Sequence, residues 1–338
     1  MLNSLLDALS ATPLSMTASA AHGALWVAIR LVALAAGLLP SAPMTAAADV
    51  AGAIAVVYPD IAEPYRSVFA QIIDGVQAQV GGRVARFPVG SSVNAQELAA
   101  ALRRQDVRVV IALGRNGLKA TSALQGDIAV VAGGVLSLPE SQARGMTVHS
   151  LAPDPALLFA RLKQLLPATR RVFVIHDPRY SGWLIRHAAE AARAHNLDLA
   201  AIESNDLKAA IRHYEEVLAS ANPRHDAVWL PQDATTVEES AVLPLVLQQA
   251  WTRGLAVFSS SVSHVRRGAL FSLYPDNLAL GRTLANSAIA RLSPGIPAPR
   301  GTRALTDVLL AVNVRTANHL GIDVSSRRQS FDMVFPEP

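Results

Sequence analysis

A carboxylate at the end of a buried strand is the first residue of this sequence with chemistry to offer. Ala227–Leu230 is a short apolar run ended by Pro231, and Gln232 and Asp233 follow at its carboxyl end. Such a run between turn residues reads as a fully buried parallel strand, and proline ends it because it lacks a backbone donor. Asp233 then serves one of two purposes: a charge-assisted bond to a ligand ammonium, or the cap of a helix beginning near Thr235. Further along, Leu255–Phe258 is another buried strand that ends in Ser259, Ser260 and Ser261. These hydroxyls either bond a ligand or satisfy the donors of the next helix. Earlier in the chain, Gly114, Arg115 and Asn116 follow the apolar run Val107–Leu113. Their backbone amides and the Arg115 guanidinium suit an anion, while the bland reading is a solvated arginine. Tyr58 ends a strand and either lines a pocket or packs in the core. Gly133 and Gly134 either admit a ligand close to the backbone or make a turn. Tyr180 and Ser181 follow the segment His176-Asp177-Pro178 and cover a cleft, or Ser181 caps a helix.

The elements that must hold these residues alternate. Asp226–Ser261 reads strand, polar tip, helix, strand, polar tip, which is one βαβ unit with Gly254 as the helix C-cap. From Ala53 onward the chain repeats that plan. Strands are expected at 53–58, 83–89, 107–113 and 128–132, with helices at 64–79, 95–104 and 117–124. Asn94 and Glu97 form a capping box for the second helix. After a crossover at 135–155, a second series is expected. It has helices at 156–166, 181–195, 207–220, 241–251 and 277–292, and strands at 172–176, 198–202, 227–230, 255–258, 269–274 and 308–312. Asn313 caps a last short helix that Gly321 ends. The fold class is therefore α/β, with two doubly wound, Rossmann-like lobes. In open α/β sheets, ligands lie outside the carboxyl ends of the strands, where all the candidate residues sit.

Composition limits what this fold does. The chain has 338 residues, 51% hydrophobic and 17% charged, enough for two domains with large cores. The net charge of +4 is scattered along the chain, so there is no nucleic-acid footprint. It has no cysteine, which excludes disulfides, thiolate metal sites, a cysteine nucleophile and a lipidated N-terminal cysteine. Its nine histidines show no H-E-x-x-H spacing, and no G-x-S-x-G or phosphate-loop signature occurs. His176 and Asp177 are neighbours on a strand and point to opposite faces, which argues against a hydrolase triad. No enzyme activity, metal or cofactor is expected. Residues 1–48 differ from the rest: Arg30 precedes the apolar segment Leu31–Leu39, and Thr45-Ala46-Ala47-Ala48 follows. That pattern is a secretory signal peptide cut after Ala48. An uncleaved anchor is the alternative, and Arg30 interrupts the apolar stretch it would need.

Beyond these local readings, His176-Asp177-Pro178, DAVWLPQDA at 226–234, LAVFSSS at 255–261, GALFSL at 268–273, NLALGRTLANSAIARL at 277–292 and AVNVRTANHLGIDV at 311–324 carry a family likeness. The chain over residues 53–335 resembles the periplasmic substrate-binding proteins of ABC importers, in the branch that includes aromatic amino-acid binders. The resemblance implies a type 1 periplasmic binding fold with two lobes joined by a multi-strand hinge of three crossovers. In that picture 53–150 and 270–300 form the first lobe, and 151–269 and 301–338 the second. The function it implies is capture of a small solute, an amino acid or similar zwitterion, by a periplasmic monomer that delivers it to an ABC permease in the inner membrane. A sensory subunit signalling to a membrane receptor kinase is the alternative. The sequence departs from the family pattern at Arg115, where the family often has a small hydroxyl residue. It departs again at 143–147, where a Pro-Gly-Gly-Asn-type loop is common.

Overall fold

The structure, a computed structural model, describes residues 50–124, 126, 128–143, 145–293, 300–324 and 330–336. The expected signal peptide, residues 1–48, lies outside them, as does the proline-rich stretch 294–299. The described part holds two separate sheets. The first is six-stranded, in the order β11-β5-β4-β3-β1-β2. Its strands are β1 (Ile54–Pro59), β2 (Ala85–Val89), β3 (Val109–Leu113), β4 (Ala129–Val135), β5 (Thr147–Pro153) and β11 (Gly301–Leu305), all paired in parallel. The second is seven-stranded, in the order β13-β12-β10-β9-β8-β6-β7. It contains β6 (Arg171–His176), β7 (Asp198–Glu203), β8 (Asp226–Leu230), β9 (Ala256–Ser259), β10 (Phe271–Pro275), β12 (Val308–Asn313) and β13 (Met333–Phe335). Only the β10–β12 pairing is antiparallel.

At the centre of each sheet both faces are buried, as the unbroken apolar strands there require, while the edge strands β2 and β7 are partly exposed. In β1, Ile54 and Val56 face one core and Ala55 and Val57 face another. In β8, Ala227 and Trp229 belong to one core and Val228 and Leu230 to a second. The alternation follows from the two-residue period of a strand. Helices α1 (Tyr65–Val80), α2 (Ala95–Arg104), α3 (Gly114–Ala120) and the short α4 (Glu140–Ala143) belong to the first series. Helices α5 (Pro155–Leu165), α6 (Pro178–Ala194), α7 (Leu207–Ser220), α8 (Val242–Arg253) and α9 (Val262–Arg267) belong to the second, followed by α10 (Asn277–Leu292) and α11 (Val314–His319). Several predicted ends are met. Asn94 Oδ1 accepts from the Gln96 and Glu97 amides, Asn313 Oδ1 from the Thr316 amide, and Gly254 ends α8 in the left-handed region at φ 64°.

The boundary between lobes differs from the expected one. Strand β10 was placed with the first lobe and the chain after 300 with the second. Instead β10 pairs with β9 and β12 in the second sheet, and β11 pairs with β5 in the first. The chain therefore crosses at 153–155, 275–277 and 305–308. These crossings are tied together: the Asp154 amide donates to Leu305 O and the Asp276 amide to Asp307 O, both at 2.9 Å. Asp154 and Asp276 also cap α5 and α10, so each of those crossings leads directly into a helix.

Helix α10 packs on α1 in the first lobe, and two glycines set the distance. A Cβ on Gly75 would overlap Leu278 O, and one on Gly281 would overlap Ile72 O. The second lobe is built differently, around Phe159, Trp229, Phe258 and Phe271. Trp229 and Phe258 stack with centroids 6.4 Å apart, and Phe258 and Phe271 stack at 5.2 Å.

Candidate functional site

A cavity of about 410 Å³ lies where strand tips of the two lobes meet. The first lobe contributes Arg115, after β3, and Leu136 and Ser137, after β4, with Ala152 from the end of β5. The second contributes Tyr180, Ser181, Trp183 and Leu184 from the first turns of α6, and the segment Pro231–Thr235 after β8. In the second sheet, β6 and β8 are neighbours with connections running in opposite directions. This is the switch point at which open α/β sheets bind ligands.

Of the residues expected to bind ligand, Arg115, Tyr180, Ser181, Gln232 and Asp233 come together in this cavity. Asp233 is the most constrained. Its Oδ2 accepts from the Asp177 amide at 2.8 Å and from the Ser181 hydroxyl. Its Oδ1 accepts from the Thr235 and Thr236 amides at 3.1 and 3.3 Å. The capping alternative for Asp233 is thus realised, and the same carboxylate also fastens the start of α6 to the end of β8. Thr236 adds to the link by donating its hydroxyl to Ile175 O at 3.1 Å.

Beside it, Asp177 caps α6 and is ion-paired with Arg179, whose guanidinium holds the Asp177 carboxyl below the ordinary carboxylate range. That guanidinium also lies over the Tyr180 ring, 5.6 Å from its centroid. Burial pushes the His176 imidazole below its ordinary pKa, against the pull of Glu203, Asp233 and Asp177, and its Nδ1 has no hydrogen-bond partner among the described residues. Behind the site, burial raises the Tyr214 phenol, and the charge of Asp233 adds to the shift.

The other expected residues sit elsewhere. Tyr58 packs against the first-lobe core formed by α1 and α10. Gly114 is buried at φ 66°, with Pro59 and Phe69 where a side chain would go. Gly133 leaves room for Leu284 of α10, and Gly134, at φ 70°, lies against Gly114 and Phe69. Asn116 is half-buried on α3 and does not line the cavity. Strand β4 continues to Val135, so the tip that faces the cavity is Leu136–Ser137, beyond the glycines. Ser260 accepts from Trp229 Nε1 at 2.9 Å and is buried.

Ser259 has a neighbour that sequence reading did not foresee. Its Oγ lies 2.8 Å from His264 Nδ1, and His264 Nε2 lies 3.9 Å from Glu239 Oε1. The order serine, histidine, acid is that of a hydrolase, but Ser259 is 0% exposed. Its Oγ is also held by Leu230 O and the Ser261 amide. A nucleophile needs an approachable oxygen; this serine ties the end of β9 to α9.

Trp183 was missed although a signal was available: it lies three residues after Tyr180, on the same face of α6. Leu136 and Ser137 had no such signal, because the length of β4 is set by its pairing with β3 and β5.

A sequence model of the family described as ABC transporter substrate binding protein matches residues 90–328. No curated protein sequence matches the chain. Among solved structures, the ligand-free, open structure of CD0873, a substrate binding protein with adhesive properties from Clostridium difficile, aligns with a TM-score of 0.60 at 13% identity, covering 84% of this chain and 99% of that one. A conserved domain protein from Vibrio cholerae aligns with a TM-score of 0.51 at 18% identity, covering 84% and 99%. An ABC domain from Streptococcus pneumoniae in complex with L-Trp aligns with a TM-score of 0.49 at 16% identity, covering 83% and 100%. At these identities the first two likenesses speak for the fold alone, a two-lobed type 1 periplasmic binding architecture. The family match runs from the end of β2 past α11 and includes every residue that lines the cavity, and the chain belongs to the ABC transporter substrate binding protein family.

Proposed function

We propose that this protein captures a small solute between its lobes, outside the cytoplasmic membrane, and presents it to the permease of an ABC importer. The observation that carries this reading is the cavity of about 410 Å³ walled by strand tips of both lobes. Its volume lies within the range of small-molecule sites, about 300–1,000 Å³. A solute touching both walls interacts fully only when the lobes are together, so it shifts the balance toward the closed form by its differential affinity. Export, action as a monomer and delivery to an inner-membrane permease belong to the same proposal. The side chains at the cavity bind and orient the solute, and no chemical step is assigned to them.

The test is a thermal-shift screen over amino acids, organic acids, sugars and nucleosides, on the wild type and on Ser137→Trp, which places an indole at the cavity rim. A ligand that binds the folded state raises its melting temperature. A stabilising solute that loses its effect in Ser137→Trp, and that lowers the radius of gyration of the wild type in small-angle scattering, is the expected result. Solutes that stabilise both proteins equally count against the site.

A further inference from the structure

The cavity holds two charged side chains from opposite lobes, and they differ in how much bonding capacity remains. A carboxylate offers about four lone-pair sites. Asp233 has four donors from its own lobe: the Asp177, Thr235 and Thr236 amides and the Ser181 hydroxyl. It is also only 4% exposed. An incoming ammonium finds no free acceptor there unless it displaces a bond that joins α6 to β8. Arg115 is the opposite case. It is exposed, and among the described residues it has no hydrogen-bond or ion-pair partner, so its five N–H donors are available. The other charges close by, Asp177 and Arg179, neutralise each other.

The large side chains of the rest of the lining are apolar, and Ser137, Gln232 and Thr235 add neutral polar groups between them. Leu136 is 40% and Tyr180 55% exposed, and these two large hydrophobic residues approach the same cavity from opposite lobes. Trp183 and Leu184 extend that surface. Exposed apolar groups facing each other across a gap favour an apolar body between them.

On the reading of this cavity as the solute site, we propose that its solute is an apolar acid of about the size of a single aromatic ring with a short side chain. The acid's carboxylate pairs with Arg115, its body lies between Leu136 and Tyr180, and it carries no ammonium group. The selectivity comes from Asp233 being saturated: an amino group on the same skeleton would be desolvated with no free carboxylate in return, only the neutral oxygens of side chains such as Gln232 and Ser137.

The experiment is calorimetric titration of the full chain with three probes that share a phenylethyl skeleton: 3-phenylpropanoate, L-phenylalanine and 2-phenylethylamine. The acid should bind about ten-fold or more tightly than the amino acid, the value of one charge-assisted bond, and the amine should not bind. Arg115→Gln should weaken the acid and L-phenylalanine alike by about ten-fold or more, since both present a carboxylate, and should not weaken the amine. L-phenylalanine or the amine binding as well as the acid overturns the proposal, as does an acid affinity that Arg115→Gln leaves unchanged. So does a wild type that binds none of the three. If the broad screen instead yields an ammonium-bearing solute that Ser137→Trp blocks, the acid assignment fails and solute capture stands. If nothing in that screen responds to Ser137→Trp, solute capture itself fails.

Discussion

The two lobes share one topological plan and are held together by different means. The first rests on aliphatic residues and on a helix pair brought close by Gly75 and Gly281. The second rests on stacked aromatics and on buried polar bonds: Trp229 to Ser260, Ser259 to His264, Asp233 to Ser181, Thr236 to Ile175. The walls of the cavity inherit the difference. On the second-lobe side the polar groups are mostly engaged with one another before any solute arrives, whereas on the first-lobe side Arg115 and Leu136 stand exposed. The second lobe thus supplies mostly engaged polar groups, with Tyr180 and Gln232 left exposed, and the first supplies a free guanidinium. For the closure proposed above, these free contacts are the ones a solute would complete.

The largest effects should come from breaking each lobe's own means of packing. Phe258→Ala removes the middle ring of the aromatic stack and should cost about 3–5 kcal/mol. Gly281→Ala drives a methyl into Ile72 O and should cost about 3 kcal/mol, because backbone on both sides must move. The two variants are separable by optics. Trp183, Trp229 and Trp251 all lie in the second lobe, and the first-lobe segments 50–153 and 277–305 contain no tryptophan. In urea, Gly281→Ala should lose helical circular dichroism before tryptophan fluorescence changes, and Phe258→Ala should move the fluorescence transition to lower urea. Coincident transitions in both variants would mean that the lobes unfold as one unit and that the contrast has no energetic content.

Much of this architecture was legible in the sequence, and the exceptions have a physical pattern. Strands buried on both faces, such as β3 and β8, announce themselves by unbroken apolar runs, and the caps Asn94, Gly254 and Asn313 work through bonds within a few residues. Strand β11, Gly301–Leu305, was missed because it is a short edge strand with Thr302 and Arg303 side by side at its centre and only Leu305 buried. The sheet membership of β10 depends on its pairing with β9 and β12, which no local pattern encodes. Gly75 and Gly281 look like poor helix residues until both helices are seen to cross there. The cavity follows the same rule. Strand-tip residues at the β6/β8 switch point were identified, while Ser259 and Ser260, one strand farther out, were drawn into local bonds instead.

A middle-sized effect separates the lobes by pH. His149, on β5, bonds Ser287 of α10 at 2.8 Å, and burial lowers its pKa to about 4, with Arg303 adding to the shift and Asp307 opposing it. The unfolded imidazole takes its proton near 6.5, so between pH 6.5 and 4 the unfolded chain binds more protons and stability falls as pH falls. From pH 7 to 5 this should cost about 2 kcal/mol. His149→Gln keeps a polar group for Ser287 and should remove that portion of the acid sensitivity. What remains should report His176 and His264, which burial also lowers, in the second lobe. Urea titrations at the two pH values measure it, and an acid sensitivity equal to that of the wild type would rule His149 out as a source.

The smallest stability effect is the most informative about the cavity, because it comes from a pair of variants that look alike on paper. Asp233→Asn and Arg115→Gln each remove one charge from the lining and keep an amide. Asn supplies only one oxygen, so one of the two positions on Asp233 becomes an NH₂ group. If that group replaces Oδ2, it faces the Asp177 amide, and donor meets donor; if it replaces Oδ1, it faces the Thr235 and Thr236 amides instead. Either orientation leaves a buried donor unpaired, so Asp233→Asn should lower stability by about 1–3 kcal/mol even with no solute present. Ordinary helix capping would be indifferent to that change, since Asn caps about as well as Asp. Arg115 has no partner to lose among the described residues, so Arg115→Gln should move the unfolding midpoint by about 0.5 kcal/mol or less. Paired melting curves in solute-free buffer decide the matter. A stable Asp233→Asn would mean that the carboxylate is less tightly held than its four donors imply, and an unstable Arg115→Gln would mean that the guanidinium is already engaged within the protein. Either result would erase the difference between a fixed wall and an open one.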